Sequence, residues 1–151
     1  LGMRAEFRAL GAHIAEFPLN EAIAEDARDA REAVVMGAPN VVRGGSHLGW
    51  ASAAPLAERG IVTILASDYY WPAMLEAAFV LEGRGTLTLG EAWALVADNP
   101  AQALSLSDRG RIEDGLRGDI VVVDAAARAP VASFVAGRLA WLSTEGAARI
   151  A

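Results

Sequence analysis

Short apolar runs alternate with polar, alanine-rich segments along the first part of the chain. The runs cover residues 13–17, 33–37 and 61–67, and each has the length of a typical buried strand. Helix signals occupy the intervals, because Asn20 is a favoured N-terminal cap and Gly60 is a favoured helix stop. The repeated order of strand and helix predicts an α/β fold with a parallel sheet and crossover helices.

The hydrophobic pattern changes near residue 105. Turn sequences at 108–110 and 113–115 are followed by an apolar strand at 119–124. Two further apolar runs, residues 131–135 and 139–142, are separated by Ala136-Gly137-Arg138 and predict a β-hairpin. The last third of the chain is therefore predicted to be a small β unit.

These two patterns divide the chain into a βα part, residues 1–104, and a β part, residues 105–151. Three strand–helix units cannot close a sheet on themselves, and an open sheet would expose a long apolar edge strand, which promotes aggregation. We therefore expect the missing strands to come from an upstream segment or from a partner chain. The chain itself is expected to be the carboxyl-terminal piece of a longer protein.

Composition narrows the range of functions. A net charge of −6 argues against general binding of nucleic acid, and no apolar run approaches the roughly 20 residues of a membrane span. Cysteine is absent, which excludes disulfides and thiolate chemistry and is compatible with a cytoplasmic location. All 13 basic residues are arginine, so a lysine Schiff base is excluded as well.

The first candidate for chemistry is Asp68, which ends the third apolar run. In α/β barrels the carboxyl ends of the strands carry the catalytic groups. A carboxylate at this place can bind a divalent metal ion or accept a proton from a bound water. The alternative is a purely structural one, in which Asp68 caps the helix that follows.

A second polar segment follows the second apolar run. It contains Asn40, Arg43, a pair of glycines and His47. Glycines let backbone amides approach an anion, and an arginine can bind phosphate oxygens through two parallel hydrogen bonds. The segment is therefore predicted to be an anion-binding loop, with a solvated surface turn as the alternative.

Two other polar residues and a group of aromatics lie near the predicted strands. His13 is interpreted as a histidine with a satisfied ring in preference to a metal ligand, because few groups nearby could share a metal. Glu16 lies at the carboxyl end of the first run and is open to either a substrate contact or a capping or salt-bridge role. The aromatic residues could wall a pocket, although packing is expected for at least two of them: Trp50, Tyr69, Tyr70 and Trp71.

Residues 11–18, 36–47 and 67–69 together resemble the phosphonate-metabolism branch of the amidohydrolase superfamily. The segments 99–101, 108–110 and 118–124 are similar to the usual amidohydrolase carboxyl-terminal part. The resemblance implies a metal-dependent (β/α)8 barrel with a small β-sandwich. This chain would hold the last barrel strands and helices and the returning strands of the sandwich.

The resemblance also implies an activity and its partners. The expected function is a hydrolase that releases diphosphate from a ribosyl triphosphate phosphonate. Asp68 would be catalytic and a metal ligand, while Asn40, Arg43 and His47 would contact the substrate. The expected cofactors are divalent metal ions, with zinc as the expected identity. Neither nucleic acid nor a membrane is expected as a partner, and a homo-oligomer stays open.

Two departures from the family pattern keep alternatives open. Leu48 and Trp50 stand where the family loop carries a hydroxyl and an amide, which leaves the substrate open. The chain also lacks the His-x-His pair of the family, so these residues alone are not expected to assemble a two-metal site. The alternatives are an amidohydrolase that cleaves a C–N bond and a non-catalytic remnant that requires a partner chain.

Overall fold

The computed structural model describes residues 2–45 and 51–150. The elements, in chain order, are α1 (Gly2–Ala9), β1 (Ile14–Glu16), α2 (Glu21–Asp29), β2 (Ala33–Gly37), α3 (Ala38–Arg43), α4 (Ala53–Glu58), β3 (Ile64–Ala66), α5 (Ala73–Gly83), α6 (Leu89–Ala94), α7 (Asp98–Ala103), β4 (Ile120–Asp124), β5 (Ala129–Val135), β6 (Arg138–Leu142) and α8 (Thr144–Ile150). No helix in the described ranges is long and apolar enough to cross a membrane.

Strands β1, β2 and β3 form a parallel sheet in chain order. The register pairs Glu16 with Val35, and Gly37 with Ala66. Parallel neighbours joined by helical crossovers are what the alternating pattern predicts, so the α/β prediction is confirmed. All three strands end at the same edge of the sheet, as their register requires.

The core lies around β2, the central strand, which is buried from Val34 to Gly37. The largest fully buried side chains come from several elements: Val34, Val41, Leu56, Val62, Leu65 and Leu81. The helices pack on the sheet mainly through alanines, such as Ala24 and Ala27 of α2. Small side chains let helix and sheet approach closely.

Residues 38–43 form a helix, α3, where the sequence analysis predicted a loop. Pro39 lies in the first turn, where its missing N–H costs nothing. Gly44 follows the helix with a φ of 81°, in the left-handed conformation that ends many helices. The glycines and proline that suggested a loop therefore mark the two ends of a short helix.

The second sheet is antiparallel, in the order β4-β5-β6. The predicted hairpin is confirmed, and β5 begins at Ala129, slightly earlier than expected. Helix α8, which the sequence analysis did not predict, packs against β5. Arg128 links this sheet to the βα part, because its guanidinium carbon lies 5.5 Å from the ring centroid of Phe79 on α5. The two sheets lie on either side of the predicted boundary at residues 104 and 105.

Candidate active site

The three parallel strands bring Phe17, Gly37 and Asp68 together at their carboxyl edge. Phe17 continues the pairing of β1, because its N–H donates to the carbonyl oxygen of Val35 at 2.9 Å. A Cβ built on Gly37 would lie 2.9 Å from Asp68 Oδ2 and 3.4 Å from Phe17 Cε1. The Asp68 carboxylate and the Phe17 ring therefore lie directly against the end of β2.

Asp68 lies in an exposed turn after β3, closed by a hydrogen bond from the Tyr70 N–H to the Ser67 carbonyl oxygen at 3.1 Å. Helix α5 begins only at Ala73, and its cap position is Pro72. The interpretation of Asp68 as a cap for this helix is therefore wrong. Its carboxylate accepts no hydrogen bond from the part of the chain that the structure describes. The carboxylate is available for a ligand as far as these residues are concerned.

The two residues that flank Gly37 in space, Phe17 and Asp68, have strained backbones. Phe17 has a φ of 47° and Asp68 a φ of 52°, both in the left-handed region. A side chain in this conformation costs roughly 1–2 kcal/mol, although aspartate tolerates it better than most residues. Strain of this kind persists only where the surrounding structure holds it, and it is concentrated at functional sites.

Arg43 is the last residue of α3 and is exposed. Its guanidinium carbon lies 5.2 Å from the ring centroid of Tyr69, a cation–π contact. Because Tyr69 follows Asp68 directly, this contact brings two of the sequence-predicted site residues to the same corner. Tyr70 and Trp71 continue the turn, and their exposure, 79% for Trp71, leaves them free to face a ligand.

Asn40 has a structural contact. Its Oδ1 accepts a hydrogen bond from the N–H of Ala53, the first residue of α4, at 2.9 Å. The side chain therefore holds α3 and α4 together through its oxygen. The amide Nδ2 makes no hydrogen bond to the described residues and is the donor that Asn40 could offer to a substrate.

The remaining predicted residues lie elsewhere or outside the described ranges. His47 and Trp50 are among residues 46–50, which lie outside the described residues. Glu16 is exposed at the carboxyl end of β1, on the same edge as Asp68. Gly37 and Phe17 were not singled out by the sequence analysis; the one available signal is a glycine at the end of a strand, which often marks a close approach.

His13 lies at the opposite, amino edge of the sheet. Its Nδ1 lies 3.1 Å from the carbonyl oxygen of Gly11, and its Nε2 lies 3.2 Å from that of Ala103. The carbonyl of Gly11 and then that of Ala103 raise the pKa of the imidazole, while desolvation lowers it. His13 thus has the satisfied ring that was expected and takes no part in the carboxyl-edge site.

The described residues do not form a metal site by themselves. Among residues 2–45 and 51–150, no three His, Cys, Asp or Glu side chains lie close enough together to hold an ion. A single carboxylate such as Asp68 can supply one ligand, whereas catalytic metal sites commonly use three protein ligands. Any metal at Asp68 would need ligands from other residues, and no metal-mediated step follows from the described ones.

Comparisons with known proteins identify relatives of this chain. The chain is 49% identical, over 120 residues, to the alpha-D-ribose 1-methylphosphonate 5-triphosphate diphosphatase of Escherichia coli K12. The match covers 78% of this chain and 32% of that protein, so the chain spans about a third of the length of this curated relative.

Two solved structures are similar as well. The beta-aspartyl dipeptidase of Fervidobacterium islandicum matches 83% of this chain and 38% of its own, with a TM-score of 0.62 and 17% identity, which shows a shared fold. The N-acetylglucosamine-6-phosphate deacetylase of Thermotoga maritima matches 46% of this chain and 19% of its own, with a TM-score of 0.41 and 26% identity.

The family comparison covers most of the chain, including the parallel sheet, strands β4 and β5 and the carboxyl-edge site. The amidohydrolase family model matches residues 4–138. The chain therefore belongs to the amidohydrolase family.

Proposed function

We propose that the chain is the carboxyl-terminal part of a hydrolase that releases diphosphate from alpha-D-ribose 1-methylphosphonate 5-triphosphate. The activity comes from the name of the 49% identical relative. The single observation that carries the proposal in this chain is the Asp68 carboxylate, exposed at the carboxyl edge and held against Gly37. This is the edge at which barrel enzymes place their catalytic groups.

Asp68 is proposed to accept the proton of the attacking water. The oxygen of that water forms a bond to phosphorus while the bond between the first and second phosphates breaks. Diphosphate leaves, and the sugar keeps one phosphate of the original three. General base catalysis of this kind contributes typically 10²- to 10⁴-fold to the rate, so Asp68 would be the most sensitive residue of the described part.

Arg43 is proposed to bind phosphate oxygens. Its contact with Tyr69 at 5.2 Å holds the guanidinium beside the turn that carries Asp68. A guanidinium in this position can neutralise charge that develops on the phosphates. Asn40, through Nδ2, and His47 complete the proposed substrate contacts; the proposal for His47 rests on sequence alone, because it lies outside the described residues.

Amidohydrolases are generally metal-dependent, and Asp68 is proposed as one ligand of such an ion, with zinc as the expected identity. The remaining ligands would come from residues that the structure does not describe. A cytoplasmic location is also proposed; the absence of cysteine is compatible with a reducing compartment.

The experiment is a hydrolysis assay on the full-length gene product, supplied with Zn²⁺, Mn²⁺ or Mg²⁺ in turn. Phosphorus NMR distinguishes diphosphate from orthophosphate as the product. Asp68→Asn is expected to lower kcat by about 10²- to 10⁴-fold. The matched control is Asp29→Asn, which changes an exposed carboxylate at the end of α2 and is expected to leave turnover unchanged.

Two results would overturn the proposal. Turnover of cyclic amides without diphosphate release from the triphosphate would identify an amidohydrolase of C–N bonds. Absence of turnover with every metal and both substrate classes would favour a non-catalytic remnant. Undiminished diphosphate release by Asp68→Asn would remove Asp68 from the mechanism while keeping the activity.

A further inference from the structure

We propose that Gly37 is a positioning residue, whose missing side chain sets the place of the Asp68 carboxylate. The inference rests on the proposed function of Asp68. It concerns a residue that never touches the substrate but decides where a catalytic group stands. Three observations carry it: the backbone of Gly37, its contacts and the strain of its two neighbours.

The backbone of Gly37 does not require glycine. Its φ of −73° and ψ of 129° lie in the extended region, which any residue adopts. Glycine at the end of a strand loses more conformational entropy than alanine, by roughly 0.5–1 kcal/mol. Conformation therefore does not explain the glycine, and the explanation must come from what surrounds it.

The space beside Gly37 is already filled. An added Cβ would lie 2.9 Å from Asp68 Oδ2, and 3.4 Å from both Asp68 Cβ and Phe17 Cε1. Gly37 is itself buried at the end of the central strand, which limits how far its backbone can retreat. We therefore expect an alanine at position 37 to displace the Asp68 carboxylate, while the β2 backbone keeps its place.

Asp68 and Phe17 are held where a side chain at position 37 would have to go. Both have left-handed backbone conformations, with φ values of 52° and 47°. The Asp68 turn is closed by the hydrogen bond from the Tyr70 N–H to the Ser67 oxygen, and Phe17 is fixed by the strand-pairing bond from its N–H to the Val35 oxygen. The Asp68 carboxylate and the Phe17 ring therefore both lie in the space that a side chain at position 37 would need.

The expected consequence is a loss of catalytic rate with little loss of binding. Catalytic groups must be held within a fraction of an ångström, and a misplacement of 1 Å can cost about 10²-fold in rate. Gly37→Ala is therefore expected to lower kcat by about 10- to 100-fold and to change KM by less than about threefold. The substrate contacts proposed for Arg43 lie on α3 and stay in place.

The test is steady-state kinetics of the full-length gene product and its variants. The matched control is Gly83→Ala, because Gly83 is the last residue of α5 and no other atom would lie within 4 Å of an added Cβ. Gly83→Ala is expected to keep the wild-type kcat, with a thermal midpoint that is unchanged or higher, because alanine favours helix over glycine. Gly37→Ala is then repeated in an Asp68→Asn background, where it is expected to lower kcat by less than about twofold.

A crystal structure of Gly37→Ala completes the test, with the Asp68 carboxylate expected to be displaced. Wild-type kcat in Gly37→Ala, or an equal loss with and without the Asp68→Asn change, would overturn the positioning role and leave the proposed function intact. If the wild-type protein releases no diphosphate, the proposed function fails instead. In that case the crystal structure alone tests the positioning role of Gly37. An Asp68 carboxylate that superposes on that of the wild type would refute this role.

Discussion

The two edges of the parallel sheet are built in opposite ways. At the carboxyl edge, Asp68 is exposed, and Phe17 and Asp68 carry backbone strain. At the amino edge, polar side chains are paired with backbone groups or with opposite charges. The same three strands therefore have one edge with an exposed carboxylate, suited to chemistry, and one bonded edge, suited to stability, the division that barrel enzymes show in general.

Thr63 and Asn99 show how the amino edge is bonded. The Oγ1 of Thr63 accepts a hydrogen bond from the Val34 N–H at 3.0 Å. Its carbonyl oxygen accepts one from Asn99 Nδ2 at 2.8 Å, which fastens α7 to the start of β3. These bonds satisfy backbone groups at the point where the strand pairing begins.

A four-residue ion network fastens α1 to the same edge. Glu32, just before β2, is bonded to Arg4 and to Arg8, and Asp26 is bonded to both arginines at 3.1 Å. Glu32 is only 6% exposed. The hydrogen bond from Arg4, followed by that from Arg8, lowers the pKa of the Asp26 carboxyl. Helix α1 buries no side chain among its described residues, and this network ties it to α2 and to the start of β2.

The largest expected effect on stability is at Glu32. Glu32→Gln removes the charge that faces both Arg4 and Arg8 and should lower the free energy of unfolding by about 2–3 kcal/mol. The measurement is urea denaturation of the full-length gene product. Glu25→Gln, which breaks the exposed ion pair with Arg59, is the matched control and should have a smaller effect. Equal effects of the two changes would contradict the special role of the amino edge.

The next effect is at Thr63. Thr63→Val keeps the shape of the side chain but leaves the Val34 N–H without its acceptor. We expect a loss of about 1–2 kcal/mol in the free energy of unfolding with unchanged kcat. Thr86→Val alters an exposed threonine in the loop between α5 and α6 and serves as the control. If Thr63→Val lowered kcat without lowering the free energy of unfolding, the amino edge would contribute to catalysis, contrary to the proposed division between the edges.

A substitution at the carboxyl edge should raise the free energy of unfolding and lower activity, the opposite of the changes expected at the amino edge. Asp68→Gly removes a left-handed side chain and should raise the free energy of unfolding by up to about 1 kcal/mol while abolishing diphosphate release. Arg31, at the end of α2, has a φ of 63° but lies at the amino edge. Arg31→Gly should give a similar gain with activity retained. A loss of stability in Asp68→Gly would show that the strain at this turn is not stored for function.

Local patterns predicted the elements and part of the site. Apolar runs and helix signals located the parallel strands, and the position of Asp68 after β3 followed from them. The error at α3 was one of interpretation, since Pro39 and Gly44 have the spacing of a helix start and stop. These features depend on residues that are close together in the sequence, so they can be predicted from the sequence alone.

Contacts between strands were beyond such reasoning. The role of Gly37 depends on Asp68 and Phe17, which belong to the ends of two other strands. The cation–π contact of Arg43 with Tyr69 and the bond of Asn40 to Ala53 likewise join separate elements. No periodicity or spacing encodes these pairs, because they arise only when the sheet register brings the strand ends together.

The smallest predicted effect is a dependence on pH at the amino edge. Both ring nitrogens of His13 face carbonyl oxygens, those of Gly11 and Ala103, so only the doubly protonated ring can donate to both. These bonds raise the pKa of His13 above its ordinary value of 6.5. The folded protein therefore holds the proton more tightly than the unfolded chain does. The stabilisation is complete below pH 6.5 and is lost as the pH rises through the raised pKa.

His13→Gln tests this prediction without depending on the other titrating groups. The difference in urea midpoint between the wild type and the variant should be larger at pH 5.5 than at pH 8.5, while kcat changes equally little at both. Subtraction at each pH cancels the groups common to both proteins. A difference that is constant with pH would mean that one neutral hydrogen bond suffices at His13. The amino edge would then be bonded but not charged at this point, and its contrast with the carboxyl edge would rest on Glu32 and Thr63 alone.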